Sequence, residues 1–203
     1  MNGIATGIAT GASDQLRVLG FAGSLRAGSY NGALLRAARE LAPPGLRIEI
    51  YASIELPLFN EDIEAQGDPE PVAAFKAAIG DADALLIATP EYNYGVPGVL
   101  KNAIDWASRP HGRGPLDGKV AGIVGASVGM VGSARAQQQL RQAFAFTNTL
   151  AMLQPEVLVS RAHQKFDRDG RLSDEATRKF LRQYLQTFYE WAMRMLHGVL
   201  IPR

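Results

Sequence analysis

Apolar and polar positions along this chain alternate between two periods. "LRVLGFAG" (16–23) is an apolar, β-compatible run ending at Gly23, and "NGALLRAAREL" after it puts Leu34, Leu35, Ala38 and Leu41 on one helical stripe. "LRIEIY" (46–51) has the period of two of a strand, with Leu46, Ile48 and Ile50 on one face. A helix is predicted from about Pro71 in "PEPVAAFKAAIGDA", since proline suits a first turn. "ALLIAT" (84–89) and "KVAGIVGAS" (119–127) are continuously apolar, as strands covered on both faces are. Between them "PGVLKNAIDWAS" (97–108) reads as a helix, and "SARAQQQLRQAFAFTN" (133–148) as another, with Leu140, Phe144 and Thr147 on one side. "EVLVS" (156–160) is a short fifth strand. After an Asp169-Gly170 turn, Phe180, Tyr184, Phe188, Trp191 and Met195 mark a long terminal helix, with Asp174 and Glu175 in its first turn.

Strand and helix alternate five times, which implies a parallel sheet with right-handed crossovers. The fold class expected is α/β: a flavodoxin-like three-layer sandwich with a five-stranded parallel sheet of order 2-1-3-4-5 and helices on both faces. In that order strands 1, 3 and 4 are neighbours. Their C-terminal loops, "GSLRAGSYN", "TPEYNYG" and "ASVGMVGS", then open into one crevice at the topological switch point, and they are the most chemically loaded loops in the chain.

The first loop surrounds a helix N-terminus with Ser24, Ser29 and Asn31, while Gly23 allows a tight exit from the strand. Free backbone N–H groups and the helix dipole attract an anion there, and Arg26 adds a charged donor. The loop suits a terminal phosphate, although Ser29 or Asn31 capping the helix would account for it as well. It matches neither the Gly-Lys-Ser/Thr of a P-loop nor Gly-x-Gly-x-x-Gly. In the second loop, Pro90 fixes the backbone, Tyr92, Asn93 and Tyr94 supply flat walls and an amide, and Glu91 has no carboxylate or histidine close by in sequence to form an acid–base pair. An exposed surface turn is the alternative. The third offers Ser127 and small residues that let backbone approach a ligand, and a plain glycine-rich connection is equally consistent with it. Together they describe a pocket for a mononucleotide with a flat tricyclic head, for which FMN is the natural occupant.

Composition narrows the partners. The chain has 203 residues and a formal net charge of +1, so no basic field points to nucleic acid. It has no cysteine, which excludes disulfides and thiolate chemistry and suits a reducing compartment. No apolar run reaches the roughly 18 residues of a membrane span. The histidines, at 111, 163 and 197, lack ligand spacing, and no metal is expected. "MNGIATGIATGASD" has neither the charge nor the apolar run of a signal peptide, so residues 1–15 are expected to be a disordered tail and 16–197 one FMN-binding domain.

"GSLRAGSYN", "TPEYNYGVPGVLKNAIDWASR" and "GMVGSARAQQQLRQ" resemble the NADPH-dependent FMN reductase family, most of all its chromate and quinone reductase branch. The resemblance runs from about residue 16 to about 190. It implies that Ser24, Arg26, Ser29 and Asn31 hold the phosphate, that Pro90, Glu91, Tyr92 and Asn93 edge the isoalloxazine, and that Ser127 and Gly129 close the third side. It also implies a cytoplasmic homodimer or homotetramer that passes electrons from NADPH or NADH through FMN to a small-molecule acceptor: a quinone, an azo or nitro compound, free flavin or chromate. No catalytic side chain is implied, since the cofactor carries the chemistry. Arg135 and Glu156 are candidates for an ion pair between subunits, or for plain surface charge. Arg109 and Arg113 in the basic "SRPHGRG" segment are candidates for clamping the phosphates of the nicotinamide nucleotide. An electron-carrier flavodoxin is the alternative, against which stands the near-neutral charge. A serine hydrolase lacks both a Gly-x-Ser-x-Gly elbow and a signalled Asp–His pair.

Overall fold

The computed structural model describes residues 15–198. The expected tail over residues 1–15 lies outside these residues, save for Gln15. The strands are β1 (Leu16–Ala22), β2 (Leu46–Ile50), β3 (Ala84–Ala88), β4 (Val120–Ala126), β5 (Leu150–Ala151) and β6 (Val157–Val159). The helices are α1 (Tyr30–Leu41), α2 (Glu61–Glu64), α3 (Glu70–Asp81), α4 (Gly98–Ala107), α5 (Ala134–Phe146) and α6 (Glu175–His197).

All pairings within this sheet are parallel, in the order β2-β1-β3-β4-β5, with β6 also on β4. The expected order therefore holds, and the fold is flavodoxin-like. β3 and β4 are buried along their whole length, as their unbroken apolar runs require. Leu86, Val124 and neighbours on one face pack against α1 and α6, while Leu85, Ile87 and Ile123 on the other pack against α3, α4 and α5.

The short helix α2, capped by Asn60 (its side chain accepts from the Asp62 N–H at 2.8 Å), was not expected from the sequence, and two further details differ. The fifth strand is in two pieces: β5 pairs with Val120 and Ala121, and β6 with Val124 to Ala126. Between them lies Pro155, which has no N–H to give the ladder. The terminal helix is also rotated relative to its aromatic stripe. It buries Leu181, Tyr184, Leu185, Phe188 and Ala192, whereas Phe180 and Met195 are exposed. Aromatic residues line one margin of the contact face, and smaller aliphatic ones fill the rest.

Gly122, in the middle of β4, explains how α6 sits so close. Tyr184 lies against the strand and donates a 3.1 Å hydrogen bond to the Ile123 carbonyl. A β-carbon on Gly122 would stand 2.8 Å from the Tyr184 oxygen and 3.1 Å from the Phe188 ring. Both side chains are fully buried and have no room to retreat. Gly122→Ala is therefore expected to lower unfolding stability by about 1–3 kcal/mol, the usual cost of overpacking a core, read as a lower midpoint in urea with an unchanged slope.

Candidate flavin site

The C-terminal ends of β1, β3 and β4 surround a cavity of about 450 Å³, within the range of small-molecule sites. All ten residues singled out from the sequence line it: Ser24, Arg26, Ser29 and Asn31 from the first loop, Pro90, Glu91, Tyr92 and Asn93 from the second, and Ser127 and Gly129 from the third. Their local roles differ more than the sequence suggests.

In the first loop Ser29 caps α1, its hydroxyl accepting from the Gly32 N–H at 3.3 Å. Ser24 accepts weakly from the Arg26 N–H at 3.4 Å. The Arg26 side chain and the N–H groups of Tyr30 and Asn31, at the first turn of α1, have no acceptor among the described residues. These are the free donors of the crevice, and a helix N-terminus adds its dipole to them. The Asn31 side chain is largely engaged. Its amide donates to the Ala126 carbonyl and accepts from the Ala126 N–H, both at 2.9 Å, and the residue is 2% exposed. One amide N–H and the side-chain oxygen tie α1 to the end of β4, so the side chain serves structure first, while the Asn31 backbone N–H stays open to an anion. Gly23 likewise serves packing more than a tight turn, since a β-carbon there would lie 2.9 Å from the Leu100 side chain.

The second loop is a tight reversal. Tyr92 and Gly95 exchange backbone hydrogen bonds of 3.1 and 2.9 Å, with Asn93 at φ 51° and Tyr94 at φ 64° between them. Left-handed backbone suits asparagine but is unusual for tyrosine. Two contacts from α5 brace it. Gln139 accepts from the Val96 N–H at 2.6 Å, and the Arg135 guanidinium lies 4.0 Å over the Tyr94 ring. The backbone N–H groups of Asn93 and Tyr94 are left without an acceptor among the described residues.

Glu91 is the residue whose surroundings the sequence hid. Its carboxylate, 8% exposed, accepts from the Arg135 N–H at 2.9 Å and pairs with the Arg135 guanidinium at 3.0 Å. The Ala136 N–H points at the same oxygen at 3.4 Å. Ser133, at the cap position of α5, has left-handed backbone and makes no side-chain cap. Glu91 supplies that cap from across the crevice, and its negative charge is well placed at a helix N-terminus. Arg135, a candidate for an intersubunit ion pair or for plain surface charge, is thereby paired within the chain, and Glu156, the other candidate, pairs with Arg141 at 3.2 Å.

The third loop is anchored by Ser127, whose N–H donates to Val159 at 3.0 Å and whose hydroxyl accepts from Gly129 at 3.1 Å. Val128, Met130 and Val131 face outward and give the cavity an exposed apolar rim with Tyr92 and Tyr94. Tyr30, Met130 and Val131 also line the site and were not picked out from the sequence, and Arg135, picked out only as a possible ion-pair partner, lines it too. The distance along the chain between Arg135 and the Glu91 loop left no local signal for that pairing.

The basic segment 108–114 lies elsewhere. α4 starts at the crevice and carries the chain about 15 Å away over its 10 residues. Arg109 is there held by Glu64, its Nε donating to both carboxylate oxygens at 3.0 and 2.9 Å. Neither Arg109 nor Arg113, the candidates for a phosphate clamp or for plain solvated charge, lines this cavity.

Comparison with known proteins decides the family. The model of the NADPH-dependent FMN reductases matches residues 16–164. The chain belongs to that family. It is 51% identical over 183 residues to an NAD(P)H-dependent FMN reductase of Pseudomonas aeruginosa, covering 90% of this chain and 98% of that one. It is 39% identical to a quinone reductase of Escherichia coli K12, covering 90% and 98%. The FerB flavoenzyme NAD(P)H:(acceptor) oxidoreductase of Paracoccus denitrificans superposes with a TM-score of 0.80 at 37% identity, covering 88% of this chain and 98% of that one. The protein is thus an FMN-dependent NAD(P)H oxidoreductase. FMN fits the residues present: the first loop offers donors for a phosphate that have no acceptor among the described residues, and the second offers tyrosine rings with the Asn93 and Tyr94 N–H groups likewise without one.

If Asn31 joins the first and third loops as described, Asn31→Ala leaves the buried Ala126 N–H and carbonyl without their side-chain partner. The expected loss is about 1–3 kcal/mol of stability, measured by urea unfolding of the FMN-free protein. A variant as stable as the wild type would mean that the pair contributes nothing.

Proposed function

We propose that this protein takes reducing equivalents from NADPH or NADH and delivers them, through FMN, to quinones, with azo and nitro compounds, free flavin and chromate as further acceptors. The observation that carries the reading is the lining of the cavity: donors for one phosphate on the first loop, flat rings and backbone N–H groups on the second. Its polar groups hold one another, as Glu91 holds Arg135, and no pair of side chains stands ready to move a proton. FMN, when bound, supplies the two-electron chemistry. The chain's part is binding and orientation. Arg26, Ser24, Ser29 and the first N–H groups of α1 hold the phosphate. The backbone N–H groups of Asn93 and Tyr94, which have no acceptor among the described residues, would donate to the ring edge, where preorganised N–H groups favour the negative charge of the reduced form. The exposed rim of Tyr92, Tyr94, Val128 and Met130 receives a planar apolar acceptor. Relatives named as quinone reductases support that acceptor class.

Residues 16–197 act as one domain in this reading, assembled as a homodimer or homotetramer in the cytoplasm. No described helix is long and apolar enough to cross a membrane, and no described cluster of His, Asp or Glu is suited to a metal.

Two measurements test the proposal. Arg26→Ala is expected to weaken FMN by roughly tenfold to a hundredfold, the worth of a charge-assisted hydrogen bond, while leaving riboflavin nearly unchanged. Equal losses for both ligands would remove Arg26 from the phosphate site. Steady-state plots with NADPH and a benzoquinone should be parallel, because donor and acceptor use one cavity in turn. If neither nicotinamide reduces the bound flavin anaerobically, the protein is an electron carrier instead.

A further inference from the structure

The wall that carries Ser24, Arg26 and Ser29 has a second side. Behind it, between the first loop, α1 and the C-terminal end of β2, lies another cavity, of about 420 Å³. Three arginines line it, Arg26, Arg36 and Arg39, and no aspartate or glutamate does. None of the three makes an ion pair with a described residue, whereas Arg109, Arg135, Arg141 and Arg178 all do. Arg36 and Arg39 are one helical step of three apart on α1, so their charges share a face and repel each other. An anion between them relieves that repulsion.

The rest of the lining fits a nucleoside. Leu35 and Ile54 are buried at its floor, and Leu25 and Ile50 add apolar surface for a base. Ser53 and the half-buried Tyr51 offer hydroxyls for a sugar, and burial raises the Tyr51 pKa, which keeps its phenol neutral. Because Ser24, Arg26 and Ser29 border both cavities, a dinucleotide working in the first is positioned to extend into the second.

We propose that this second cavity takes the 2′-phosphoadenosine end of NADPH, with Arg36 and Arg39 as the residues that recognise the 2′-phosphate. The proposal rests on the reading that a nicotinamide nucleotide is the electron donor. It places the discrimination between NADPH and NADH beside the flavin phosphate, at the opposite end of the molecule from Arg109.

Adenosine 2′,5′-bisphosphate and adenosine 5′-monophosphate are the probes, each titrated calorimetrically into FMN-loaded and FMN-free protein. Wild type is compared with Arg36→Ala, Arg39→Ala and the double variant. The double variant should bind the 2′,5′-bisphosphate about tenfold or more weakly, and the 5′-monophosphate less than about twofold more weakly. The difference should shrink at high salt, because exposed charges are screened. FMN affinity should not change, and kcat/KM should fall for NADPH while holding for NADH. Equal losses for both probes would overturn the proposal and make the cavity a 5′-phosphate site, such as the AMP end of FAD would use. Unchanged affinity for the bisphosphate, or none in the wild type, would also overturn it and leave the arginines as solvated charge. A protein that binds the bisphosphate through Arg36 and Arg39 but draws no electrons from either nicotinamide would sustain the subsite and defeat the proposed function.

Discussion

A parallel strand that is followed by a helix must have that helix cross back over the sheet before the next strand can begin. In this chain the crossover from β1 to β2 goes one way and the one from β2 to β3 returns past β1 to the other side. The loops leaving β1 and β3 therefore diverge to opposite faces and leave a gap between them. Nothing in the site needs a special residue to create that gap, since chirality and the strand order make it. What needs particular residues is keeping it open and shaped. Asn31 does so from the first helix by bonding both ways to the backbone of Ala126, 95 positions later in the chain.

A second set of contacts fixes the loop after β3. Its tyrosine in left-handed backbone is an uncomfortable conformation to hold, and it is held from α5. Arg135 covers the Tyr94 ring, Gln139 takes the Val96 N–H, and Glu91 returns the contact by capping the helix that braces its loop. Loop and helix thus complete one another. Glu91 and Arg135 serve here as structure, and a flavin bound in the cavity would meet backbone N–H groups and flat rings more than free charges.

The arginines divide by partner. Arg109 on Glu64, Arg141 on Glu156 and Arg178 on Glu40 tie segments together far from the cavity. Arg26, Arg36 and Arg39 make no ion pair with a described residue and line the cavities on either side of the phosphate loop. A near-neutral total charge conceals this, because the count of charges says nothing about which of them are already compensated.

The hydrophobic pattern determined the alternation of strands and helices, and with it the loops that form the site, while the sheet order followed from the few orders a doubly wound sheet adopts, since period and strand burial are local properties and crossover handedness is nearly invariant. The unbroken apolar runs of β3 and β4 were legible for that reason. Contacts between distant segments were not. The break of the last strand at Pro155 depends on how β4 pairs with either half, and the rotation of α6 depends on the space that Gly122 leaves beneath Tyr184. The roles of Asn31 and Glu91 were hidden in the same way: a side chain that lines a crevice and one that holds it together have the same sequence, and only the position of Ala126 or Arg135 in space tells them apart. Arg109 stood out because it is close in sequence to the site helix, yet a helix carries a chain away from where it begins. Arg36 and Arg39 gave no signal in the sequence, because the feature that sets them apart is a shared cavity with no acid in its lining, and what lines a cavity is decided by tertiary structure alone.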